Sequence, residues 1–130
     1  MIVSPCLVAE VVAAAHAASV AVLPGALSPT EIFTAFQTGA DLVKVFPAQS
    51  MGGPDYIKAL RGPFPAIPLV PTGGVNLQTI GAFLKAGAAA VGVGGDLIPL
   101  SALKTGDYAT IAGLAARFLQ AVKDARLDLD

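Results

Sequence analysis

A chain of 130 residues, 55% apolar and only 13% charged, is long enough for one packed core and too apolar to be disordered. Its formal net charge of −1 leaves no basic footprint for nucleic acid or anionic lipid. Pro, Gly or charge interrupts the longest apolar runs before the ~18 residues that a membrane span needs. The single cysteine, Cys6, excludes an intrachain disulfide framework and fits a reducing cytoplasm, and Met1-Ile2-Val3-Ser4-Pro5 has no basic-then-apolar leader. No linker or charge block divides residues 1–130, so one domain is expected.

The elements alternate along the chain. Ile2-Val3 reads as a short strand. Residues 10–18 read as a helix, with Val8, Val11, Val12 and Ala15 on one face at the 3.6 period. Residues 20–23 form a strand that is expected to end at Pro24-Gly25. Ser28-Pro29-Thr30-Glu31 is a helix start: Ser28 caps, Pro29 fits the first helical position and Glu31 completes a capping box. That helix runs to about Thr38 and stops at Gly39. A strand at 42–46 ends at Pro47, and a short helix follows at 55–60. The strand at 67–70 leads directly into Thr72-Gly73-Gly74. Asn76 is expected to cap a helix ending near Ala86, with Gly87 as its left-handed stop. A strand at 90–93 runs into Gly94-Gly95. Asp107 caps the last helix, whose apolar face is Ile111, Leu114, Ala115, Phe118, Leu119 and Val122.

Apolar strands alternating with helices predict an α/β fold with a parallel sheet covered by helices. An open doubly wound sheet and a (β/α)8 barrel both place polar motifs at the C-terminal ends of strands. Glycine-rich, phosphate-type motifs after the last two strands favour the barrel. A whole barrel usually takes ~250 residues and rarely fewer than ~200. The expectation is therefore a partial (β/α)8 barrel, about its last five βα units.

Lys44 is the most unusual residue, a cation in the middle of Asp41-Leu42-Val43-Lys44-Val45-Phe46-Pro47. Strand alternation puts Leu42, Lys44 and Phe46 on one side and the two valines on the other. If the valines face the helices, Lys44 points into the barrel beside an aromatic ring. Burial there disfavours the ammonium form, and a neutral amine attacks a carbonyl to give an imine. A strand-end lysine that extends its head into water fits the same pattern. Thr72-Gly73-Gly74 and Gly94-Gly95-Asp96 are either plain tight turns or, taken together, a cradle of backbone N–H groups for an anion. His16, in an alanine-rich helix, reads as structural or surface-exposed, so no soft-ligand metal site is expected. Cys6 reads as an inert thiol, and Glu31 as a capping residue.

The string Lys44-Val45-Phe46-Pro47-Ala48 resembles the Schiff-base strand of the 2-keto-3-deoxy-6-phosphogluconate and 4-hydroxy-2-oxoglutarate aldolases. Leu23-Pro24-Gly25, Gly52-Gly53, Gly62-Pro63-Phe64, Pro71-Thr72-Gly73-Gly74-Val75 and Gly106-Asp107-Tyr108 match strings of that family in the same order, over essentially the whole chain. The resemblance implies a class I aldolase that cleaves a 2-keto-3-deoxy sugar acid to pyruvate and an aldehyde. Lys44 would hold pyruvate as its imine, with Pro5 and Phe46 lining the pocket around it. Thr72, Gly73 and Gly74 would bind the carboxylate or phosphate end, and Gly94 and Gly95 would complete the anion site. The resemblance further implies no metal or organic cofactor, and a homotrimer.

Three departures from the family pattern stand out. Its proton-transferring glutamate and the accompanying arginine lie on an early strand that no residue here matches, and loss of such a group typically costs ~10² to 10⁴ in rate. A fragment lacking those strands would also expose two sheet edges and act only by assembling with another chain. Asp96 stands where the phosphogluconate enzymes have a phosphate-contacting serine. A carboxylate about 6 Å from a phosphate dianion costs on the order of several kcal/mol at an effective dielectric of ~20. Asp96 would escape that cost by turning away to cap the next turn; as a substrate-binding position it nonetheless argues for a different or unphosphorylated substrate. Finally, Cys6 replaces a usual glycine.

Overall fold

The computed structural model describes residues 1–128. In chain order it contains β1 (Ile2–Val3), α1 (Ala9–Ala17), β2 (Val22–Leu23), β3 (Gly25–Ala26), α2 (Pro29–Gln37), β4 (Val43–Val45), a 3₁₀ turn at Gln49–Met51 and α3 (Pro54–Arg61). Then follow β5 (Leu69–Pro71), α4 (Ile80–Lys85), α5 (Leu100–Thr105) and α6 (Tyr108–Leu127). Every strand pair is parallel: β1 with β2, β3 with β4, and β4 with β5. This is an α/β fold with parallel strands flanked by helices, and it fits a partial barrel.

The strand expected to stop at Pro24 does not stop there. It resumes as Gly25–Ala26, and Pro24 only divides the ladder. Proline lacks an N–H but keeps its carbonyl, and the Lys44 N–H donates to the Pro24 oxygen at 3.0 Å. Two other expectations are also corrected. The strand at 90–93 is reduced to one parallel bridge between Thr72 and Gly92, with the Gly92 N–H donating to the Pro71 oxygen at 2.8 Å. The helix expected from Asn76 begins only at Ile80, because Asn76 Oδ1 accepts the N–H groups of Gln78 and Thr79 at 3.0 Å each and closes a turn of its own. Gly39 and Gly87 do adopt the left-handed conformation after α2 and α4, at φ +102° and +97°.

The caps expected at Ser28 and Asp107 hold in detail. Ser28 Oγ accepts the Glu31 N–H, and Glu31 Oε2 accepts the N–H groups of Ser28 and Leu27 at 2.7 and 2.9 Å. Asp107 Oδ1 accepts the Thr110 N–H at 3.0 Å, starting the 20-residue α6. The core lies between sheet and helices. Val43, Val45 and Leu69 point into it with Ile32, Ile57 and Phe83, all fully buried. Helix α6 lies across α4, where the Ala125 methyl is 3.8 Å from the position a Cβ would take on Gly81. Phe118 is its buried residue, whereas Leu119, expected on the same face, is 64% exposed. On α1 only Val12 and Ala15 are buried, and Val11 and the N-cap Val8 are exposed.

Three surface carboxylates are held below their usual pKa, each chiefly by hydrogen bonds it accepts. The main donor is the Ser28 N–H for Glu31, the Val22 N–H for Asp41 and the Thr110 hydroxyl for Asp107. Asp41 also faces His16 Nε2 at 3.6 Å. A carboxylate whose folded-state pKa is depressed contributes its full stability above the unfolded-state pKa and loses it as pH falls through the folded value. The thermal midpoint is therefore expected to stay flat in this respect from neutral pH to about pH 5, and to fall below about pH 4. Asp41→Asn should flatten part of that acid limb in a scanning-calorimetry series; an unchanged limb would assign the acid sensitivity to other groups.

Candidate active site

The residue that the strand pattern singled out faces the concave side of the sheet. Val43 and Val45 are fully buried against the helices, so the pleat turns Lys44 the other way. There it lines a cavity of about 410 Å³ with Leu23, Val70, Thr72, Gly92 and Gly94. Lys44 is half-buried, and its Nζ lies 4.9 Å from the centroid of the Phe46 ring, a cation–π distance. Phe46 is the residue just past β4, and the i, i+2 spacing along the extended chain produces that contact.

Thr72 and Gly73 follow directly at the end of β5. The bridge from Thr72 to Gly92 places the Gly73-Gly74 and Gly94-Gly95 loops on neighbouring strands at the same end of the sheet. Gly92 is required here, since a Cβ on it would run into the Thr72 side chain. Sequence reasoning passed over this residue; its only signal was a glycine inside an apolar run. Gly73 and Gly74 have φ of +89° and +79°, a region that L side chains rarely adopt. A Cβ on Gly73 would lie 3.5 Å from the Phe46 ring, and one on Gly74 would overlap Gln49, another residue with no earlier flag. Among the described residues, the N–H groups of Gly73, Gly74, Gly94 and Gly95 donate to no acceptor of the chain.

Pro5 is brought to the same end but lines a second cavity. This cavity, of about 440 Å³, is bordered by Pro5, Cys6, Gly25, Leu27, Glu31 and Phe46. Phe46 is thus the wall between it and the Lys44 side. Gly25 lets the two segments close up, because a Cβ there would overlap the Pro5 carbonyl. The structure places Asp96 elsewhere: with Asn76, Gln78 and Phe118 it borders a separate depression beside α6. Gly95 is exposed, with open space around it.

Tyr56, which the sequence did not mark, ties α3 to the wall of the Pro5–Phe46 cavity. Its hydroxyl donates to the Leu27 oxygen at 2.6 Å, and burial, followed by the nearby Glu31 charge, pushes its pKa up. Tyr56→Phe is expected to destabilise the fold by about 1 kcal/mol, measured by chemical denaturation, because the Leu27 carbonyl loses a part-buried donor. A loss below the error of the measurement would show that water replaces the hydroxyl at no cost.

The family model described as "KDPG and KHG aldolase" matches residues 1–114. The 2-dehydro-3-deoxy-phosphogluconate aldolase of Pseudomonas aeruginosa (PAO1) is 36% identical over 125 residues, which are 96% of this chain and 57% of that protein. Among solved structures, a native KDPGal structure is 34% identical with a TM-score of 0.85, covering 96% of this chain and 59% of its own. A KDPG aldolase from Legionella pneumophila, with pyruvate captured at low pH as a covalent carbinolamine intermediate, is 31% identical with a TM-score of 0.76, covering 86% and 54%. The chain spans about half the length of the curated relatives it matches. With a concave-face lysine on β4, glycine loops at the strand ends and a family match over nearly its whole length, this chain belongs to the KDPG and KHG aldolase family.

Proposed function

We propose that this chain carries the imine-forming part of a class I aldolase acting on a 2-keto-3-deoxy sugar acid, phosphorylated or not, or on 4-hydroxy-2-oxoglutarate. The observation that carries the reading is the position of Lys44, half-buried on the concave face with its amine over Phe46 and beside Thr72. The amine of Lys44 adds to the substrate ketone and the carbinolamine loses water to leave a protonated imine. The carbon–carbon bond between the second and third carbons, counting the imine carbon as the first, then breaks, its electron pair moving into the imine to give an enamine while the hydroxyl on the departing carbon passes its proton to a water molecule and becomes the aldehyde carbonyl. Protonation of the enamine carbon and hydrolysis of the imine release pyruvate and restore the amine.

In this scheme Phe46 and Pro5 wall the adduct, and Thr72, Gly73 and Gly74 meet the substrate's oxygens, with Gly94 and Gly95 beyond them. The chemistry calls on no metal or organic cofactor, since the imine serves as the electron sink. The family resemblance extends the proposal to a homotrimer working in the cytoplasm. Borohydride reduction of the purified chain with pyruvate tests the scheme: a pyruvate-sized adduct mapped to Lys44 supports it. A folded chain that yields no adduct overturns it for this chain alone.

A specific observation favours a second reading, in which the chain acts only when assembled with another polypeptide. Strand β1 pairs on one side only among the described residues; its own Ile2 and Val3 are 37% and 50% exposed, and Val8 and Val11 at the start of α1 are 40% and 36% exposed. A monomeric mass by light scattering at working concentration would sink it.

A further inference from the structure

Three segments of the chain meet at Gln49, which opens the 3₁₀ turn that follows β4. Its N–H donates to the Gly73 oxygen at 3.1 Å, and the preceding Ala48 N–H donates to the Thr72 oxygen at 2.9 Å. With the Thr72 N–H on the Val45 oxygen at 3.0 Å, these bonds carry the β4–β5 pairing past both strands and bracket Phe46. The Gln49 side chain then packs on two glycines at once. A Cβ on Gly74 would overlap its Cβ and Cγ, and one on Gly53 would lie 2.9 Å from its Oε1. Gly53, the residue before α3, is itself tied back by its N–H to the Ala48 oxygen at 3.0 Å.

The effect of this packing reaches Lys44 through Phe46. The Gly73 turn faces the Phe46 ring, and Lys44 Nζ lies 4.9 Å from the centroid of that ring. Phe46 is exposed and belongs to neither core cluster, so the core does not fix its ring. Its place depends on the backbone beside it. Two successive glycines at positive φ have many other conformations open to them, and a side chain packed on them removes that freedom. Gln49 is also exposed and outside the core, so its contacts shape the turn and not the interior. The atoms against Gly74 are the carbons of its stem, which makes shape and not hydrogen bonding the working property.

We infer that Gln49 is a positioning residue for the imine reaction: its stem fixes the Gly73-Gly74 turn and, through that turn, the Phe46 ring beside the Lys44 amine. This rests on the aldolase reading of Lys44. The test is the rate at which the borohydride-trapped pyruvate adduct forms at saturating pyruvate, in the chain and in Gln49→Ala, Gln49→Met and Gln49→Glu. Gln49→Ala is expected to slow adduct formation by about tenfold, with the thermal midpoint well above the assay temperature. Gln49→Met and Gln49→Glu keep the stem and should stay within about twofold of the unmodified chain. An unchanged rate in Gln49→Ala, a loss in Gln49→Met as large as in Gln49→Ala, or a loss that only tracks unfolding overturns the inference. A second readout needs no catalysis. The ring current of Phe46 shifts the proton resonances of the Lys44 ε-methylene group. Gln49→Ala should reduce that shift and Gln49→Met should preserve it; an unchanged shift in Gln49→Ala overturns the inference. If borohydride traps no pyruvate on the unmodified chain, the Lys44 reading fails, and the ring-current shift still decides whether Gln49 holds the ring.

Discussion

Lys44→Ala is expected to abolish the borohydride-trapped pyruvate adduct and to lower aldol cleavage by on the order of 10³-fold or more, with the circular dichroism spectrum unchanged. The size follows from the role: removing a covalent nucleophile removes the intermediate, not one contact to it. The fold should tolerate the change because Lys44 is half-buried on the concave face and adds nothing to the core formed by Val43 and Val45. Lys44→Arg is the sharper variant. It keeps a cation over the Phe46 ring, where Lys44 Nζ lies at 4.9 Å, but a guanidinium does not form the imine. Retention of activity in Lys44→Arg would assign the lysine an electrostatic role and sink the covalent scheme. Loss in both variants, with the adduct mapped to Lys44 in the parent chain, would separate imine chemistry from simple charge.

The largest expected effect on stability comes from Phe83→Ala, at about 3–5 kcal/mol, measured by denaturant unfolding. Phe83 on α4 is fully buried in the main cluster, which also contains Leu69 of β5 and Phe118 of α6. Its removal leaves a cavity at the place where sheet, α4 and α6 meet. Against a typical net stability of about 5–15 kcal/mol, that loss unfolds a large share of the chain at ordinary temperature. Phe83→Leu keeps most of the volume and should cost less than about 1.5 kcal/mol. Equal effects of the two variants would mean that the cluster relaxes to fill the space, contrary to the close packing between α4 and α6 at Gly81 and Ala125.

The order of elements was legible because it depends on local rules. Alternation in Val43-Lys44-Val45 set which side each residue takes, and the observed burial follows it residue by residue. The caps at Ser28 and Asp107 and the stops at Gly39 and Gly87 rest on hydrogen bonds and backbone freedom within a few residues, so sequence alone located them. Motif identity gave the family, which the match over residues 1–114 shows.

What depends on distant neighbours was not legible. The expected strand at 90–93 keeps only the Thr72–Gly92 bridge, since pairing depends on what lies alongside and not on the apolar run itself. The close approaches of Gly25 to Pro5 and of Gly92 to Thr72 join segments far apart in sequence, and no local pattern announces them. The same holds for Tyr56, whose hydroxyl reaches the Leu27 carbonyl 29 residues away. Asp96 shows the division most clearly. The sequence established that a carboxylate follows Gly94-Gly95, and left open whether it caps the next turn. Only the folded chain decides that the Gly94 carbonyl takes the Leu97 and Ile98 N–H groups of that turn, because competition for a donor is settled by geometry in three dimensions.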